Sequence, residues 1–388
     1  MASVLGPDAD SGLADRWRAR LARRPELALR RATAQPVSTA SCRVFGRPRR
    51  PRMPASRSPI ASGRRPSLGQ GHRADYHFAT HPFMPRPVAA ERPARSVVSR
   101  PALTAYRAAV ADIVAESRGH RDRDALARTL RARLFWPELA SVLSSLEGGV
   151  DGVAGALVDE LRRYVPNPRS SARDLASFVR IYLLSQIENV WWRDIPAFET
   201  DHDVERSPEL VDLEPLRCRR GLHFRYRIQT DALARRAGDW LERRLFPDRR
   251  PHTAGLRFAR ARREVIALLN QLARELADAM PASTPPIWVT SLVRSVEHQR
   301  RLRALGYSAL FPSSHCVGYG VDVEMRWFSR FDREGVLADL LLEHHDAGRL
   351  NVIDEGQAWH VCVSPDQCEV LLRSDASAAS RSVDGSGC

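Results

Sequence analysis

Lysine is absent from this 388-residue sequence, and all 60 basic residues are arginine. Selection for arginine geometry would not remove lysine from solvated helix faces, where either residue serves. A coding bias is the simpler cause, and it lowers the meaning of arginine richness. Long apolar runs are also missing. No stretch reaches the roughly 18 residues that a spanning helix requires, and the first residues hold no apolar secretory core. Cysteine is sparse, with six residues and no CxxC pair, which excludes a disulfide-dense scaffold and a zinc ribbon. Cys362 and Cys368 are spaced so that a bridge between them is open.

Charge is present but unevenly placed. Residues 1–100 hold 20 arginines against 6 acids, which equals the net charge of +14 for the whole chain. The remainder is therefore balanced. A pI near 10.5 ordinarily points to nucleic acid, but here the basicity belongs to the arm, and the neutral remainder argues against a nucleic-acid partner. The same 100 residues hold 12 of the 26 prolines and little periodic apolar pattern. They are expected to be a disordered Arg/Pro-rich arm.

From 101 onward the apolar spacing becomes helical. Helices are expected over Leu103–Glu116, Asp124–Leu134, Ser141–Leu146 and Val150–Tyr164. After Pro166-Asn167-Pro168, the residues Ser170–Asp174 offer an N-cap for a helix reaching Trp191. This region, 101–192, reads as a helical bundle without chemistry, with Trp191-Trp192 as a core plug. Residues 193–220 read as a linker. Leu222–Ile228 alternates like a strand. Helices are expected over Thr230–Leu245, Leu256–Met280, Arg294–Leu305 and Glu334–His345. Strands are expected at Ile287–Leu292, Tyr319–Met325, Asn351–Ile353 and Trp359–Ser364. The small polar tail from about Ser374 to 388 is expected to be unstructured. The fold class is α+β, with a small antiparallel sheet and flanking helices over 221–373.

Chemistry concentrates in two pieces of that last domain. In Ser313-Ser314-His315-Cys316-Val317-Gly318-Tyr319-Gly320-Val321-Asp322, a histidine and a carboxylate stand seven positions apart, with glycines that let the chain turn between them. Downstream, His360 lies on a strand, its alternation placing Cys362 on the same face and Trp359, Val361 and Val363 on the other. Zinc takes four tetrahedral N, O or S ligands, and a catalytic site leaves one for water. His315, Asp322 and His360 supply two nitrogens and an oxygen. The residue types alone also fit a hydrogen-bonded loop histidine and a packed core histidine. Cys362 reads as a packed thiol, and His344-His345 as a helix cap.

The run Val289-Thr290-Ser291-Leu292-Val293-Arg294-Ser295, then Gln299, then Ser314-His315-x-x-Gly318-x-x-x-Asp322, then Trp359-His360, resembles the zinc D-Ala-D-Ala carboxypeptidase and endopeptidase family. That family is itself similar to the zinc-binding domain of hedgehog signalling proteins. The resemblance covers roughly residues 285–365. It implies zinc held by His315, Asp322 and His360, and a substrate contact from Arg294 to a carboxylate or a developing oxyanion. Ser314 and Trp359, which adjoin the two histidines, join Arg294 on the substrate side. The implied activity is hydrolysis of peptidoglycan stem peptides or similar peptides containing D-residues. The implied place is the cell envelope, although the missing secretory core leaves the cytoplasm open. The sequence departs from the pattern at one point. The family's general base is a glutamate three residues before the last histidine, where this chain has Gln357. Glu355 is the nearest acid and the expected base, with Asp354 behind it. A zinc-containing binding protein without hydrolysis is the alternative that Gln357 favours.

Overall fold

The structure is a computed structural model. It describes residues 98–384, apart from 168–170, 220, 230–243, 246–249, 252 and 254. The arm expected over 1–100 and the helix expected over Thr230–Leu245 fall almost wholly outside the described residues. The described residues belong to one compact unit.

The chain begins this unit with helices α1 (Arg100–Ser117), α2 (Arg123–Arg133), α3 (Pro137–Leu143), α4 (Gly149–Arg163) and α5 (Leu175–Trp192). Ser99 caps α1 by accepting from the Ala102 amide, with Pro101 in the first turn, where its missing N–H costs nothing. Helix α5 opens with the cap the sequence offers. The Asp174 carboxylate accepts from the Ser177 amide at 2.7 Å, and the Ser177 hydroxyl accepts from the Asp174 amide at 3.0 Å. This reciprocal box satisfies two of the amides a helix start leaves unpaired. Fourteen of the eighteen residues of α5 are buried, so it is a central helix rather than a one-sided one. It packs on α1, on α3 and on the sheet. The Tyr106 hydroxyl donates to the Leu183 carbonyl at 2.7 Å and ties α1 to α5.

Residues 193–220, expected as a linker, are built into the fold. They carry α6 (Asp201–Arg206), β1 (Val211–Asp212) and α7 (Leu213–Cys218). Phe198, Val204 and Leu210 cluster with Phe258 and Val293. The Phe198 amide donates to the Cys316 carbonyl, and its carbonyl accepts from the Val296 amide, each at 2.8 Å. Short apolar residues among polar ones have no periodicity, which is why composition hides this packing.

The expected Leu222–Ile228 strand shortens to β2 (Arg225–Tyr226), with an isolated bridge from Ile228 to Leu256. Burial alternates here, but there is little facing backbone to pair with. The helix expected over Leu256–Met280 starts later. Arg260–Ala261 is strand β3, paired with β1, and α8 runs over Arg263–Ala279. The Arg260 guanidinium donates to the carbonyls of Val204, Ser207 and Leu210, so this segment is held extended against residues 204–210.

The remaining elements are β4 (Trp288–Ser291), α9 (Val296–Ala304), β5 (Gly320–Glu324), α10 (Val336–Asp346), β6 (Leu350–Asp354), β7 (Ala358–Val363) and α11 (Cys368–Asp384). Helix α11 overturns the unstructured tail through Asp384: Leu371 is buried, and Arg274 on α8 pairs with Asp375. The main sheet has the order β2-β4-β5-β7-β6. Its pairings are antiparallel except at the edge, where β2 runs parallel to β4. The expected antiparallel sheet is thus mixed by one two-residue strand.

Register decides which residues share a face. Asp322 on β5 lies opposite His360 on β7, and Ile353 on β6 lies on the other side of His360. Asn351, beside Cys362, shares that face. Helix α5 covers it, with the Asn351 amide donating to the Leu184 carbonyl. Val321, Val323, Trp359 and Val361 occupy the opposite face, all buried. Helix α8 packs on β7 and carries α10 and α11 beside it. His344 and His345, expected as caps, are buried in structural bonds: His344 to Glu275, and His345 accepting from the Val352 amide.

Because α5 joins the helices to the sheet, truncating its fully buried Leu183 should be costly. Leu183→Ala is expected to lower unfolding stability by about 2–5 kcal/mol, measured by urea titration.

Candidate metal centre

The loop from Ser313 to Tyr319 folds on its own backbone. The Tyr319 and Gly320 amides both donate to the Ser314 carbonyl, and the Gly318 amide to that of His315. At Gly320 a Cβ would stand 2.5 Å from Ser314 Oγ, 2.9 Å from the His315 amide nitrogen and 2.9 Å from His360 Cε1. Only glycine lets strand β5 pass this close to both histidines.

Three donor atoms then converge. His315 Nε2 is 3.1 Å from Asp322 Oδ1, His360 Nδ1 is 3.0 Å from the same oxygen, and the two ring nitrogens are 3.1 Å apart. All three residues are buried, at 3 %, 8 % and 6 % exposure for His315, Asp322 and His360. A tetrahedral ion with bonds of about 2.0 Å has ligand-to-ligand edges of about 3.3 Å, so the triangle has the right size. Among the described residues this is a buried group able to hold a metal ion.

The far nitrogen settles the tautomer of His315. His315 Nδ1 is 2.7 Å from the Leu292 carbonyl, which can only accept, so Nδ1 carries the proton and Nε2 presents a lone pair. His360 Nε2 is 3.0 Å from Glu188 Oε2 and 3.1 Å from Ser314 Oγ. A proton on Nε2 facing that carboxylate leaves Nδ1 as a lone pair. Two ring nitrogens and a carboxylate thus meet in a buried place, an arrangement that requires a proton or a cation among them.

The acid–base balance agrees. Burial alone would raise the Asp322 carboxyl, but its contact with His315 and then the Arg294 charge hold it well below the usual range. Burial and Arg294 push His315 down, keeping it neutral. His360 moves the other way: burial disfavours its charge, but Glu188 and Asp322 outweigh this and raise it well above the ordinary value. In the protein alone His360 holds a proton between two carboxylates. A metal ion would take that proton's place on Nδ1.

Arg294, expected at the substrate, first serves the ligand. Its Nη2 donates to Asp322 Oδ2 at 2.7 Å, its Nε to Ser291 Oγ at 2.8 Å, and its Nη1 to Gln299 Oε1 at 3.3 Å. These use three of the five guanidinium N–H groups, and Arg294 also lines the cleft. Ser314 likewise lies among the ligands, donating to Glu188 Oε2 at 2.6 Å.

The group opens into a cleft of about 470 Å³, lined among others by Arg294, Ser314, His315, Asp322, Glu355 and His360. Glu355 is held by Ser171, whose hydroxyl donates to Oε2 at 2.6 Å. Burial, then the Asp322 charge, raises its carboxyl above the ordinary value. Gln357 is elsewhere. It is exposed in the β6–β7 turn, and its carbonyl accepts from the Met325 and Arg326 amides. Trp359, expected beside substrate, faces away. It pairs with Val323 on the opposite side of the sheet and is not among the cleft residues. Cys362 is a fully buried free thiol, as Cys368 is a buried one, and burial pushes the Cys362 thiol well up; it packs, and the bridge to Cys368 is not formed.

Two site residues came from the region read as chemically silent. Glu188 lies on α5 and Ser171 just before it. The available signal was an acid inside the apolar run Ile187-Glu188-Asn189-Val190, since a buried carboxylate is expensive unless paired. Comparison of the chain with protein-family models, with curated proteins and with solved structures finds no match.

Two outcomes test the geometry. Gly320→Ala is expected to abolish stoichiometric zinc binding, as is His315→Ala, both read by elemental analysis after dialysis. Protons compete for His360 Nδ1, so zinc affinity should fall as the pH is lowered, starting above the ordinary histidine value near 6.5. Titration with a competing chelator at several pH values checks this.

Proposed function

We propose that this chain is a zinc-dependent peptide hydrolase with the domain arrangement of the D-Ala-D-Ala peptidases and the hedgehog zinc domain. Its proposed substrates are peptidoglycan stem peptides or similar peptides containing D-residues. The observation that carries the proposal is one cleft holding both a three-atom metal-binding group and a separate carboxylate, Glu355. The donor set of two imidazoles and one carboxylate suits zinc in a catalytic site. The choice of peptide rests on the resemblance of the segment 285–365, and the cleft volume falls in the usual range for small-ligand sites.

His315 Nε2, Asp322 Oδ1 and His360 Nδ1 would hold the ion. Zinc, when bound, supplies Lewis acidity and lowers the pKa of water from about 16 to about 7. Glu355 takes the proton of the attacking water and delivers it to the leaving amine. Its raised affinity for protons suits both halves of that task, and the Ser171 hydroxyl holds its Oε2. Arg294 fixes the Asp322 carboxylate and directs its two remaining N–H groups at the substrate oxygen that gains charge. The non-hydrolytic reading rested on Gln357, and that side chain stands outside the cleft.

Assay of the zinc-loaded protein on peptides ending in D-Ala-D-Ala, and on internally cross-linked stem peptides, tests the proposal. Glu355→Gln is expected to lower kcat/KM by roughly 100- to 10,000-fold with zinc content unchanged. Gln357→Ala is expected to stay within about twofold of the parent. Zinc-loaded parent protein no faster than Glu355→Gln on every peptide would favour a binding protein instead.

A further inference from the structure

We infer that Glu188, on helix α5, is the positioning residue that selects Nδ1 of His360 as the metal-binding nitrogen. The inference rests on the proposed metal site but not on hydrolysis. Glu188 is 2 % exposed and lies outside the segment whose motifs resemble the peptidases. Its Oε1 accepts from Asn351 Nδ2 at 2.8 Å, and its Oε2 from Ser314 Oγ at 2.6 Å. Oε2 also faces His360 Nε2 at 3.0 Å.

His360 stands between two carboxylates. Asp322 Oδ1 is 3.0 Å from Nδ1, and Glu188 Oε2 is 3.0 Å from Nε2. A neutral imidazole has one N–H to give. If Asp322 takes it, Nδ1 is blocked and the ligand set loses a member. If Glu188 takes it, Nδ1 is free and the ring is held in place. Asn351 and Ser314 pin the Glu188 carboxylate from a strand and from the ligand loop, so it cannot swing away from Nε2. A carboxylate that fixes the far nitrogen of a ligand histidine also raises the basicity of the near one.

Of its three partners, only the imidazole can carry charge, so Glu188 also supports the zinc-free fold through its pair with His360, and removing one member of such a buried pair is costly.

The test uses the full chain at one fixed pH, with zinc alone as the probe, in competition with a chromophoric chelator. Glu188→Gln is expected to weaken zinc binding about 10- to 100-fold and, because it leaves the charged His360 without its partner, to lower the thermal midpoint of the zinc-free protein as well. Nitrogen-15 NMR of the zinc-loaded parent should show His360 ligated through Nδ1 and protonated at Nε2. That spectrum needs no variant and so does not depend on how Glu188→Gln folds. Zinc affinity of Glu188→Gln within about twofold of the parent, or ligation through Nε2, would overturn the inference and leave the metal site standing. A parent protein that binds no zinc would overturn the metal site and the inference together.

Discussion

Two imidazole nitrogens and a carboxylate oxygen meet within 3.0–3.1 Å of one another, out of water. Groups of that kind repel, and burial removes the solvent that would relieve them. The surrounding contacts answer this one constraint. Arg294 neutralises the second Asp322 oxygen, the Leu292 carbonyl fixes His315, and Glu188 with Ser314 fixes His360. The rest of the charge is left to an ion or a proton.

The sheet and helix α5 are what make so demanding an arrangement possible. Direct register between Asp322 and His360 fixes one edge of the triangle by backbone hydrogen bonds rather than by side-chain choice. Gly320 lets the His315 loop close over it. Helix α5 lies on the same face, and its lead-in and its C-terminal part supply Ser171 to Glu355 and Glu188 to His360. One rigid helix thereby sets the position of both a ligand and the proposed base. A packed helix holds such partners more firmly than a loop would.

Much of this site was legible from residue types. The spacing of His315 and Asp322, the strand alternation at His360 and the glycines between them pointed to the three donor atoms that converge. Glu355 came from the family resemblance, which implies a base where this chain has Gln357, a side chain that accepts no proton. The structure brings Glu355 into the cleft and puts Gln357 in an exposed turn, because a tight β6–β7 connection turns successive side chains to different sides. Trp359 was misplaced for the same kind of reason. Adjacency in sequence to His360 means the opposite face on a strand, and the tryptophan packs beneath the sheet.

The sequence by itself determined the helical and strand periodicities, the concentration of positive charge before residue 101, and the identity of the donor residues. These are local properties, set by side-chain chemistry and by spacing of a few residues. Only the tertiary structure decided that 193–219 is packed, that the tail continues as a helix, and that an apolar-looking helix carries a carboxylate to the group able to hold a metal ion. Glu188 and His360 are 172 positions apart, and no local pattern encodes a contact of that span. It exists because α5 is buried on nearly all sides and must lie against the sheet face that holds Asp322 and His360.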